Sequence, residues 1–276
     1  MSETVEQRVL AAFQFIDRST GDILDRPLKV SSPEVKFIKN RSHQYIVASV
    51  PGLRTHNEAF KNPPAEPPTG SIPIEILVED PANIYLPRKF RLSLPRSSKP
   101  EEADSPDSLF NPVEISLYPS SNAPLRPNWS TIRASVMEIS QNGEKKALSG
   151  SLLRVIRTSD DHVLASGYSD ERGETLIIIP GVPITQFAEG SEDTDGPSEE
   201  TDPEGDPAPE VENPEPPLVT ELPVKLETSY NPKTLWPVNP DELEKNHPSA
   251  TFPNPVALKL RMGRMEKENI ELKLDP

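Results

Sequence analysis

The sequence predicts an all-β chain folded as two β-sandwich domains, the second interrupted by a long acidic disordered loop. Three observations carry that expectation. Proline makes up 34 of the 276 residues, about two and a half times the usual ~5%. An interior proline removes a helical hydrogen bond and clashes with the preceding turn, so long helices are excluded and short strands with stiff loops are favoured. Apolar residues recur with period two along most of the chain, the mark of half-buried strands. The alternation also stops at a polar stretch near residue 100 and then restarts, and the length accommodates two ordinary domains.

Val9, Ala11, Phe13 and Phe15 share one face of an opening strand, which Ser19-Thr20-Gly21-Asp22 turns. Val35 and Phe37 begin the next strand, and Tyr45 to Val50 form another, closed by Pro51-Gly52. After a proline-rich loop over Lys61–Thr69, Ile72, Ile74, Ile76 and Val78 alternate with Pro73, Glu75, Leu77 and Glu79. Pro73 would forfeit a ladder hydrogen bond in a central strand, so this one reads as an edge. Phe90, Leu92 and Leu94 complete a first domain over 1–96.

Residues 97–109, rich in Ser, Pro, Asp and Glu, read as a polar linker. The second domain then spans 110–188 plus 217–276. Its strands lie at Val113–Leu117, Trp129–Ile139, Ser151–Arg157, His162–Tyr168, Glu174–Pro180, Leu222–Leu226, Val256–Met262 and Ile270–Leu274. Asn142-Gly143 signals a hairpin turn. Asn239 to Lys245 reads as one capped helical turn with Pro240 at its first position. The alternative is that residues from 217 onward form a third domain.

Twelve of the chain's acidic residues, and no Lys or Arg, fall between Glu189 and Pro216, so the net charge of −15 is local and the rest is nearly neutral. That segment has high charge, many prolines and no aromatic residue, and it is expected to be disordered. Nucleic acid is an unsuitable partner, because binding it needs clustered basic residues. The absence of cysteine excludes disulfides, thiolate nucleophiles and Cys-ligated zinc. The opening residues lack the apolar core of a signal peptide, and no apolar run approaches the ~20 residues of a membrane span. The expected location is therefore cytoplasmic, away from membranes.

The run Leu148-Ser149-Gly150-Ser151-Leu152-Leu153-Arg154-Val155, followed by Gly167-Tyr168-Ser169-Asp170-Glu171-Arg172-Gly173-Glu174, resembles a carboxypeptidase regulatory-like domain. Ser151 and Leu153 stand at the small and branched positions of that family's strand start, and Ser169 stands where Thr is common. The resemblance implies a transthyretin-like sandwich of about seven strands, used as a noncatalytic appendage or as scaffolding. Ser19 to Leu28 and Val50 to Leu53 resemble the same class more faintly, without the Asp-x-x-Gly turn.

Residues capable of chemistry are few. His43, His56, His162 and His247 lie far apart, without metal-ligand spacing. No nucleophile elbow, phosphate-binding glycine loop or zincin motif is present. Asp193-Thr194-Asp195-Gly196 lacks the remaining ligands of a calcium loop. Asp160-Asp161 falls in a hairpin turn, while Asp170, Gly173, Asn142 and Gly143 are turn formers. No cofactor is expected and the protein is not expected to be an enzyme.

Two basic stretches are candidate partner-binding surfaces: Arg88, Lys89 and Arg91 near Arg96, and Lys259, Arg261, Arg264 and Lys267. Alternatively, they are solvated edge-strand faces that discourage pairing between chains. The expected function is a noncatalytic structural or adaptor protein docking other proteins, in a multi-subunit particle such as a phage-tail-like assembly. The alternative is a carbohydrate- or surface-binding module pair using Trp129, Trp236, Tyr118 and Tyr230.

Overall fold

The computed structural model describes residues 8–59, 64–183, 221–245 and 255–274. The acidic run Glu189–Pro216 and His247 lie outside the described residues. Strands β1 (Ala11–Asp17), β2 (Lys29–Ser31), β3 (Lys36–Lys39) and β4 (Tyr45–Ser49) are followed by the short helix α1 (Arg54–Glu58). Then come β5 (Ile72–Glu79), β6 (Arg88–Leu94), β7 (Val113–Leu117), β8 (Ser130–Ile139), β9 (Lys145–Ala147), β10 (Leu152–Arg157), β11 (Val163–Tyr168) and β12 (Glu174–Ile179). β13 (Leu222–Ser229), α2 (Pro240–Lys245), β14 (Val256–Leu260) and β15 (Met265–Leu272) complete the order. The fold is all-β, as the alternation predicts.

The first unit packs sheet β3-β4-β1-β7 against sheet β2-β5-β6. Alternate residues Ala11, Phe13 and Phe15 from β1, and Phe90, Leu92 and Leu94 from β6, fill the space between them. Phe13 stacks on Tyr45 at 5.6 Å and meets Phe90 edge-on at 5.3 Å. Such aromatic pairs add to area burial alone.

β7 departs from the expected division. It pairs in parallel with β1, Phe13 opposite Val113 and Asp17 opposite Leu117, and its Ile115 and Leu117 enter the first core. The stretch 97–109 is accordingly not a separating linker. Leu109 donates to the Ser97 carbonyl at 2.7 Å, and Ser97 donates to the Asp107 carbonyl at 2.9 Å. Ser108 is fully buried, and its hydroxyl accepts the Phe110 N–H at 3.2 Å. The serines that look like spacer are local turn formers, because Ser side chains readily bond backbone two residues on.

Pro73 sits on β5, the middle strand of its sheet rather than an edge. Lys89 gives its N–H to Val238 at 2.9 Å, so the backbone N–H groups of Lys89 and its alternates Arg91 and Ser93 point away from β5. Pro73, opposite Ser93, therefore points its nitrogen away from β6. On that side β2 reaches only Leu77–Glu79, and the missing donor costs no ladder bond.

In the second unit, sheet β11-β10-β13-β14 faces sheet β12-β8-β15, with β9 also on β8. Ile132, Val136, Val155, Ile177, Val224, Leu260 and Ile270 lie in the core between them. β13 lies between β10 and β14, and β15 runs parallel to β8 from Met265↔Thr131 to Leu272↔Glu138. The strands after residue 220 thus pair with those before 184. β15 begins at Met265, five residues earlier than the alternation at Ile270 suggests, because its charged first half is a solvent-facing edge.

Candidate functional site at the seam between the units

Residues 230–245, between β13 and β14, cross from the second unit to the first. Asn239 caps α2, its Oδ1 accepting the Asp241 N–H at 3.2 Å. Asp241 and Glu242 occupy the first turn and Lys245 the last, as the helix dipole favours. Val238 accepts from Lys89, which seats this strap on the outer edge of β6.

Arg88 lies beneath the strap with its side chain 0% exposed. Its Nη1 donates to the Ser116 carbonyl at 2.7 Å and its Nε to the Lys89 carbonyl at 3.3 Å. Its Nη2 reaches Asn239 Oδ1 at 3.4 Å and forms an ion pair with Asp241. The guanidinium lies 6.0 Å from the centre of the Tyr118 ring. Tyr118 meets Tyr168 edge-on at 5.0 Å, and Trp236 packs on Tyr168 at 5.9 Å. The Tyr168 hydroxyl crosses the seam to donate to the Pro87 carbonyl at 2.9 Å.

One carboxylate oxygen of Glu244 gathers three donors: Arg18 at 3.1 Å, the Tyr118 hydroxyl at 3.1 Å and Ser166 at 3.3 Å. Burial pushes both tyrosine hydroxyls well above the usual phenol range, and the Glu244 charge adds to the rise at Tyr118. Both therefore stay protonated and keep donating.

This geometry corrects the reading of Arg88 as a partner-facing cation: it is interior. Lys89 pairs with Glu75 at 3.5 Å and Arg91 with Glu242 at 2.8 Å. Arg96 is held by the Ser108 and Pro106 carbonyls. In the other stretch, Lys259 and Arg261 converge on Glu221, Lys259 at 2.7 Å. Arg264 and Lys267 are exposed, and no ion pair involves either among the described residues.

Hydrogen bonds from Lys259, then Arg261, pull the Glu221 carboxyl down to about 2. A carboxylate depressed in the folded state contributes stability above its unfolded pKa, and that contribution is lost as pH falls through the folded value. The expected result is a Glu221 carboxyl carbon that titrates in NMR near pH 2 in the native chain. In the Lys259→Ala/Arg261→Ala variant it should move up toward the ordinary glutamate range.

The described histidines do not converge. His43 pairs with Asp25 at 2.6 Å, His56 is buried in α1, and His162 donates its backbone N–H to Asp160. Asp160 accepts two bonds from Arg157, at 2.8 and 2.6 Å, and Asp161 pairs with Lys225 at 2.9 Å. Among the described residues no group of three or more His, Cys, Asp or Glu could hold a metal ion. No helix among them is long and apolar enough to cross a membrane.

Asp170 Oδ1 accepts the N–H groups of Arg172 and Glu174, each at 2.9 Å. Gly173 donates to the Asp170 carbonyl at 3.0 Å with φ +76°. Gly143 has φ +84° and donates to the Ser140 carbonyl at 2.9 Å. Asn142 keeps a negative φ, so this hairpin turns through a type I turn plus a left-handed glycine, not a type I′ turn.

Of the four aromatics singled out by the sequence, Tyr118 is buried in the seam and Tyr230 packs against the second core. Trp129 and Trp236 line two separate cavities, of 280 and 290 Å³, each of which also touches Tyr85.

No family model matches the chain, and no curated protein matches it. Among solved structures, it overlaps the Bacillus anthracis TIE protein with 7% identity and a TM-score of 0.27, over 95% of this chain and 33% of that one. It overlaps GBS52, the minor pilin of Streptococcus agalactiae, with 8% identity and a TM-score of 0.28, over 96% and 97%. The chain thus spans about a third of the length of the first. Overlaps this low carry no functional argument.

Proposed function

We propose that this chain is a noncatalytic structural or adaptor protein whose two sandwich units, held as one body by the 230–245 strap, dock other proteins. The observation that carries this reading is the Arg88 clamp. A guanidinium with no exposure is satisfied by groups from β6, β7 and a strap some 150 positions later in sequence. A catalytic cleft leaves a proton donor, acceptor or nucleophile facing substrate with a matched pKa. Here the polar groups of the seam are bonded to one another, and burial holds its tyrosines in the neutral, protonated form. Rigid coupling of two units lowers the ordering cost of presenting a surface to a partner.

The docking surface in this proposal is the β14–β15 turn and the open edge of β15. There Arg264 and Lys267 remain available, and a partner strand or acidic loop could be received. The second unit, in this reading, is a sandwich of the carboxypeptidase regulatory-like kind. A multi-subunit particle is a suitable setting.

The test is capture from native lysate by wild type and by Arg264→Glu/Lys267→Glu at two salt concentrations. A stoichiometric partner retained by wild type, weakened by salt and lost in the charge-reversed variant is expected, with thermal stability nearly unchanged. Turnover of a small molecule by the purified chain, with no protein partner recovered, would overturn the proposal.

A further inference from the structure

We propose that the 280 Å³ cavity at Trp129 binds one residue of a neutral saccharide. The site is independent of the docking surface above, so its failure would leave that reading standing. The first unit contributes Asp17, Thr20, Asp22, Leu24, Ile84 and Tyr85, and the second contributes the loop that runs from Pro119 to Trp129. One side is apolar: Trp129 packs with Ala123, Leu176 and Ile178, and Leu24, Ile84 and Leu125 extend that wall.

The other side is polar and of mixed sign. Asp17 is already engaged, by the N–H groups of Ser19 and Thr20 and by the Tyr85 hydroxyl at 2.6 Å. Asp22 accepts one bond, from the Thr20 hydroxyl at 2.8 Å, through Oδ2, which leaves Oδ1 to accept. Arg126 lies over the Trp129 ring at 4.9 Å and has no carboxylate partner among the described residues.

That lining selects by elimination. A free anion would face Asp17 and Asp22, and a free cation would face Arg126. A neutral ligand with an apolar face and adjacent hydroxyls meets neither repulsion. Its C–H face can lie against the apolar wall that Trp129 shares with Ile84 and Leu125, one hydroxyl can donate to Asp22 Oδ1, and a neighbouring one can accept from Arg126. The cavity lies just below the usual range of ligand sites, which run from about 300 Å³ upward, and it suits a single sugar ring at a time.

The chain has only two tryptophans, which gives the test a specific readout. In the Trp236→Phe variant all tryptophan emission comes from Trp129. Four-residue fragments of α-glucan, β-glucan, galactan, mannan and chitin are titrated into that variant by fluorescence and into the wild type by calorimetry. At least one should give a saturable response with Kd of about 0.1–1 mM. Arg126→Ala, an exposed change, should weaken that binding about fivefold, the equivalent of one hydrogen bond. Trp129→Phe, which keeps apolar packing, should weaken it about tenfold or more. No saturable response to any fragment overturns the proposal, as does binding that both substitutions leave unchanged. A Trp129 response to tetralysine or tetraglutamate, with none to the sugars, replaces the saccharide by a charged peptide.

Discussion

Asp241→Ala is expected to destabilise the native chain by about 2–3 kcal/mol, the larger part of it from stranding Arg88. The Arg88 side chain has no exposure, whereas that of Asp241 is 55% exposed. A solvated carboxylate is partly screened, which lowers the estimate from the 3–5 kcal/mol typical of breaking a fully buried pair. What remains is a desolvated cation facing the Ser116 and Lys89 carbonyls and Asn239. Adding Arg88→Met to Asp241→Ala should restore part of the loss, because a buried apolar side chain of similar length needs no counter-charge. Urea unfolding of wild type, both single variants and the double variant forms a complete cycle. A double variant less stable than Asp241→Ala alone would show that the guanidinium is held by its carbonyl acceptors and that the strap pairing is incidental.

The interior position of Arg88 is legible in the sequence. Alternate residues of a strand share a face, and Arg88 is in phase with Phe90, Leu92 and Leu94, all interior. Neighbours in a run of basic residues, such as Arg88, Lys89 and Arg91, do not all lie on one face of the strand. Arg91, out of phase, is indeed exposed. The rest of the clamp had no such signal. Asn239-Pro240-Asp241-Glu242 is legible as a helix start, but nothing local says that its carboxylate meets a guanidinium 153 positions away. Glu244 is equally silent: its donors come from β7's end, β11 and the first turn of the chain.

The same division holds for the fold. Period-two runs fix where β1, β5, β6 and β8 lie, because burial on one face forces alternation, whereas β10 and β12 are buried on both faces and read as continuous apolar runs. Short strands such as β2 and β9 carry three residues each, too few for a period to show. Composition misled at 97–109, since Ser, Pro and Asp mark flexible linkers and tight turns alike. The parallel partnership of β1 with β7 across about 100 positions was not legible, because parallel pairing needs a long crossover and leaves no turn motif to read.

Gly173→Val should cost about 3–4 kcal/mol, well beyond the ordinary penalty for a left-handed turn residue. Two effects add. A φ of +76° strains any L side chain, by about 1–2 kcal/mol and more for a β-branched one. A Cβ at this position would also sit 2.5 Å from the Val136 carbonyl oxygen, a backbone atom that cannot swing aside. That carbonyl accepts the Leu148 N–H at 3.0 Å, and the Gly173 carbonyl accepts the Val136 N–H at 2.8 Å. Moving the turn therefore loosens the β8–β12 and β8–β9 connections together, at about 1 kcal/mol per bond. Gly143→Ala is the matched control. Its φ is +84°, but nothing lies within 4 Å of the added carbon, so only the backbone strain of about 1 kcal/mol applies. Asp170→Ala, which removes the acceptor for two N–H groups, should fall between them at about 1–2 kcal/mol. Thermal unfolding of the three variants should rank Gly173→Val below Asp170→Ala below Gly143→Ala. An equal loss for the two glycine variants would mean that β8 yields to the added carbon, and that the close approach of Gly173 to Val136 contributes nothing to the second unit.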